Sequence, residues 1–63
     1  MKTLWCAETQ KKFLEMANER FHTKDEWMIV SPEEGGMRLK NWKTGKILSG
    51  KVIFENEMWR YVV

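Results

Sequence analysis

From Pro32 onward, turn residues punctuate the chain every few positions: Pro32-Glu33-Glu34-Gly35-Gly36, then Thr44-Gly45, Ser49-Gly50 and Asn56-Glu57. Each is a place where a backbone reverses or bends, and the runs between are short and rich in strand formers. Glu26 to Ser31 reads as the first of these strands. Met37 to Lys43 alternates, Lys46 to Glu55 resumes with Ser49-Gly50 as a bulge or bend, and Met58 to Val63 is the last strand. Thr44-Gly45 and Asn56-Glu57 have the composition of tight hairpin turns. The pattern predicts an antiparallel meander of about four strands.

One segment has a different period. Between Glu8 and His22, Phe13, Leu14, Ala17 and Phe21 recur at helical spacing while Lys11, Lys12, Glu15, Asn18, Glu19 and Arg20 take the other side. Thr9 is the candidate N-cap, and Glu8–Lys12 and Lys11–Glu15 are candidate ion pairs. Lys2 to Ala7 reads as a short strand or simply as the run into the helix. An amphipathic helix needs a sheet face on which to lie, so the expected architecture is α+β: one N-terminal helix packed on the meander, residues 1–63 forming one domain.

At 63 residues the chain lies near the lower limit for folding without a disulfide, metal or partner. Large side chains compensate: four Trp, three Phe, one Tyr and five Met. The single cysteine, Cys6, cannot bridge within the chain, which points to a reducing compartment. No stretch resembles a signal sequence or a membrane span, so a soluble cytoplasmic protein is expected.

With two-residue turns, strand alternation sorts the side chains onto two faces. Met37, Leu39, Leu48, Val52, Phe54, Trp59, Tyr61 and Val63 share the face expected to meet the helix. Arg38, Lys40, Trp42, Ile47, Ser49, Lys51, Ile53, Met58, Arg60 and Val62 share the other. A sheet face made only for water would be mostly polar, yet this one interleaves cations with large apolar groups. Between Gly35 and Phe54 there are five basic side chains and no acidic one, although the net charge of the chain is only +2.

The residues offer little catalytic chemistry. Cys6 and His22 could form a thiolate–imidazole pair, but they flank the helix without a carboxylate or amide to orient the ring. A buried cysteine and a helix-end histidine are the plainer reading. Two such ligands are too few for a structural zinc site, and the glutamates at 33, 34, 55 and 57 belong to turns. Gly35-Gly36 and Gly45-Lys46 lack the helix and flanking residues of a phosphate loop. No enzyme activity, cofactor, metal or small-molecule substrate is expected.

What remains is recognition. Trp42 would anchor a partner, Arg38 and Arg60 would contact carboxylates or phosphates, and Lys40, Lys43, Lys46 and Lys51 would steer it in, with Met58 adding apolar contact. A protein partner or self-association fits this mixture best. Single-stranded nucleic acid, stacked on Trp42 and followed by the lysines, is the alternative. The size and composition are compatible with the small accessory or inhibitory proteins encoded by bacteriophages and mobile elements.

Overall fold

In the computed structural model, which describes residues 1–33 and 35–63, five strands and one helix follow in the order β1 (Thr3–Ala7), α1 (Gln10–Phe21), β2 (Trp27–Val30), β3 (Arg38–Asn41), β4 (Lys51–Glu55) and β5 (Met58–Val62). The architecture is α+β with antiparallel sheets. Glu34, read above as part of a turn, lies outside the described residues. The helix does not lead the chain: Leu4, Trp5 and Cys6 sit within a strand that precedes it. The sheet is also divided, with β1, β5 and β4 forming a three-stranded sheet and β2 and β3 a two-stranded one.

The two sheets meet at an antiparallel bridge between Met37 and Val52, where Val52 N–H donates to the Met37 carbonyl at 2.9 Å. Followed through that bridge, the strands run β1, β5, β4, β3, β2. Helix α1 packs against β1, β5 and β2, so it spans the gap between the two strands at the ends of that run. Thr9 caps it as expected, its Oγ1 accepting from Lys12 N–H. At the other end His22 adopts the left-handed conformation (φ 56°), and the His22 and Thr23 N–H groups donate back to the Glu19 and Asn18 carbonyls. That closes the helix with the paired bonds of a Schellman motif. Glu8 lies before the cap and cannot pair along the helix. The ion pair that forms is Lys12–Glu15 at 3.9 Å, on the exposed face, where it adds little.

Phe13 and Ala17 are buried, and Leu14, Met16 and Phe21 pack beside them. Trp5 is the hub of this core. Its ring stacks on Tyr61 at 4.7 Å and meets Phe13 and Phe21 at 5.5 and 5.9 Å, while its indole N–H donates to the Phe13 carbonyl. Ala7, Trp27, Leu39, Val52 and Val62 are buried as well.

The hairpin registers depart from two-residue turns in one case and agree in the other. Between β3 and the following segment the loop has four residues, Trp42 to Gly45, closed by Asn41 N–H donating to the Lys46 carbonyl and Gly45 N–H donating to that of Asn41. Two further residues are inserted at the bend: Leu48 bonds to Leu39, but the next pairing is Val52 with Met37. Both departures are even in number, so the alternation survives and Met37, Leu39, Leu48 and Val52 stay on one face. Asn56 and Glu57, both at positive φ (53° and 61°), form the two-residue turn expected between β4 and β5.

Three assignments are corrected. Phe54 is 53% exposed rather than core, because it lies at the turn end of β4, two residues beyond Val52, the buried residue of that strand. Val63 is exposed and Val62 buried, the reverse of the expectation. Val62 lies on the central strand between Thr3 and Lys51, whereas Val63 is past its end.

Gly50 explains why the bend is tight. A Cβ there would lie 2.4 Å from the Tyr61 ring and hydroxyl and 2.8 Å from the Val62 carbonyl, and its N–H donates to Tyr61 Oη. Gly50→Ala should therefore destabilise the fold by roughly 1–3 kcal/mol, read as a lower urea midpoint at unchanged slope. His22→Gly and Glu57→Gly relieve left-handed strain and should each raise the thermal midpoint, by an amount corresponding to about 0.5–1 kcal/mol.

Candidate functional site

The outer face of the β2–β3 hairpin is built by its register. Met28 pairs with Lys40, and Lys40 pairs in turn with Ile47 across the turn, so these three form one row. Val30 and Arg38 form the next row, and Trp42 follows Lys40 by two positions on the same face. Trp42 is 57% exposed, Ile47 47% and Met28 43%. Three large apolar side chains thus stand in solvent around a lysine, with Lys43 and Lys46 exposed on the adjoining turn.

A polar chain holds this end of the molecule in place. The Thr23 hydroxyl accepts from the Trp27 indole and donates to Asn18 Oδ1, which also accepts from Glu26 N–H. Glu26 Oε1 then accepts from the Asn41 amide at 3.2 Å, and Asn41 Oδ1 accepts from the N–H groups of Lys43 and Thr44. Asn41 is the one buried polar side chain among the described residues, and both its amide oxygen and its amide nitrogen are hydrogen-bonded. Trp42 is pinned as well: its indole N–H donates to the Asp25 carbonyl at 2.9 Å and its backbone N–H to that of Glu26. The ring is left as an apolar plate with no free donor.

The other predicted site residues are not gathered here. Arg38 turns its guanidinium to the Ser49 and Gly50 carbonyls, the latter at 3.2 Å, and so braces the bend. Lys51, Met58 and Arg60 belong to the three-stranded sheet. Arg60 is half-buried between Cys6 and Ile53, and its enclosed Nε lacks a hydrogen-bond partner. Because β3 and β4 are antiparallel, Trp42 lies toward Ile47 and Met58 toward Glu55, separated by up to about 25 Å of strand at ~3.3 Å per residue. The single face expected from alternation is therefore two surfaces.

Cys6 lies half-buried within β1, and His22 is the exposed C-cap of α1. Among the described residues no three His, Cys, Asp or Glu side chains converge as metal ligands, and no helix is long and apolar enough to cross a membrane. The clefts are shallow; one is lined by Trp5, Met16, Glu19 and Arg20, with the Arg20 guanidinium 5.7 Å over the Trp5 ring. No protein-family model, curated protein or solved structure matches the chain.

The Glu26 carboxyl is held below the ordinary glutamate value, first by the Asn41 amide and then by the Lys24 N–H, with Lys43 adding to them and desolvation opposing. A depressed folded value stabilises the fold above the unfolded glutamate range, and that stabilisation fades as pH falls through the folded value. Urea midpoints should decline across this acidic interval, and Glu26→Gln should make the decline shallower.

Proposed function

We propose that this chain is a small non-enzymatic binding or regulatory protein of the cytoplasm that takes a protein partner, or another copy of itself, on the outer face of the β2–β3 hairpin. The observation that supports this reading most is Trp42: more than half exposed, yet fixed at both its nitrogens. A rigid aromatic loses little freedom on contact, which is what makes such residues effective anchors. Met28 and Ile47 extend the apolar surface, and Lys40, Lys43 and Lys46 surround it as a charged rim that steers association. Glu26 is the acid of this face, and its carboxylate is engaged with Asn41 and Lys24.

Single-stranded nucleic acid is a second reading, favoured by the placement of Lys43 on the turn directly after the Trp42 ring and of Lys46 at its close. Aliphatic Met28 and Ile47 offer nothing for bases to stack on, which places this reading second. The two differ in salt response: phosphate contacts weaken binding as a power of salt concentration, whereas an apolar contact with a charged rim weakens only mildly.

Trp42→Ala should weaken partner capture by about thirtyfold or more, the usual cost of an anchor being at least about 2 kcal/mol. The thermal midpoint should move little, since one exposed hydrogen bond is lost. Capture from lysate by immobilised wild-type and variant protein, with and without nuclease, reads the difference. Equal capture by both proteins would remove this face from consideration, and loss of capture with nuclease would favour nucleic acid.

A further inference from the structure

The opposite end of the molecule is the chemical converse of the Trp42 end. Phe54, on the β4–β5 hairpin, is 53% exposed and leans on half-buried Trp59 with ring centroids 5.0 Å apart. Glu55 and Glu57 stand exposed at the same turn. Glu8 joins them, because it follows Ala7, which pairs with Trp59 at this end of β1. One end therefore combines exposed Trp42, Ile47 and Met28 with Lys40, Lys43 and Lys46, and the other combines exposed Phe54 with Glu8, Glu55 and Glu57. Asp25 and Glu26 at the first end and Lys11 and Lys12 near the second are the counter-charges; Glu26 is engaged with Asn41 and Lys24, and Lys12 lies 3.9 Å from Glu15.

Resting on the binding role of the Trp42 face, we propose that its occupant is a second copy of this chain, docked head to tail, with the Trp42 end of one copy on the Phe54 end of the next. Charge decides the geometry. A two-fold contact between Trp42 faces would set Lys40, Lys43 and Lys46 against their own counterparts, whereas the head-to-tail contact sets them against carboxylates and covers an apolar patch on each side. Such a contact is heterologous, so it leaves one free head and one free tail and continues into open chains. It is also weak. Standard interfaces of about 800 Å² per partner at both ends would take roughly a third of the 4546 Å² surface, so contacts smaller than standard are expected. Association is therefore expected at high micromolar concentration.

Sedimentation velocity on the wild-type protein from about 10 µM to about 1 mM should show an average mass that climbs past the dimer, and added salt at about 0.5 M should reduce it. Trp42→Ala disables the head and the exposed pair Glu55→Lys with Glu57→Lys disables the tail; circular dichroism checks that both remain folded. Each alone should be monomeric. Mixed in equal amounts they should form a one-to-one dimer that grows no further, since one live tail meets one live head. A dimer that persists in the Glu55→Lys, Glu57→Lys protein would overturn the proposal in favour of a two-fold contact. A wild-type chain that stays monomeric throughout would also overturn it, while leaving the Trp42 face as a surface for some other partner, which the capture experiment reads separately.

Discussion

Everything in this fold is tied to the stack of Trp5 on Tyr61. It joins the edge strand β1 to the central strand β5, and the same indole reaches Phe13 and Phe21 on the helix. An aromatic pair in this geometry is worth about 0.5–1.5 kcal/mol beyond the area it buries, but its larger effect is positional. Tyr61 also occupies the space next to Gly50 and accepts that residue's N–H, so the ring that Trp5 covers is the ring around which the chain bends. The bend, in turn, is where the two sheets diverge. In a chain of 63 residues one cluster thus sets the helix position, the sheet join and the place where the outer surface divides.

The helix, the α+β class and the strands after Ser31 were legible because their signals are local: a 3.6-residue period, turn residues and alternation. β1 was ambiguous because Thr3 to Ala7 is short, has no turn chemistry before it, and pairs with residues more than fifty positions away. Alternation carried the exposure of Trp42 and Ile47 correctly, and it did so because the irregularities at Trp42–Gly45 and Ser49–Gly50 each add two residues. The four-residue loop had a visible signal in Asn41, whose side chain closes the turn that follows it. The exposure of Phe54 had none, since it depends on how far along β4 the core extends beyond Val52. Arg38 and Arg60 show the same limit: alternation places a side chain on a face but does not say that the Arg38 guanidinium is engaged by the Ser49 and Gly50 carbonyls or that Arg60 is half-buried in the three-stranded sheet.

The Trp42 end owes its rigidity to polar contacts and not to packing. The chain of bonds from Asn18 through Thr23, Glu26 and Asn41 to the 43–44 backbone joins the helix terminus, β2 and the turn without a buried charge pair. Such a network holds its geometry only when every member is satisfied. It keeps the aromatic plate in place while leaving its apolar surface uncovered, a combination that ordinary core packing cannot supply.

The pairing of β1 with β5 also governs the order in which the molecule can be assembled. Lys2 and Val63 exchange two hydrogen bonds, and β1, the strand nearest the start of the domain, is paired by β5, the strand nearest its end. On the ribosome, Trp5 must therefore wait without its Tyr61 partner until nearly the whole domain has emerged from the exit tunnel. The β2–β3 pairing joins neighbouring segments, whereas the closure of β1 on β5 is a long-range event that carries the larger loop-closure cost.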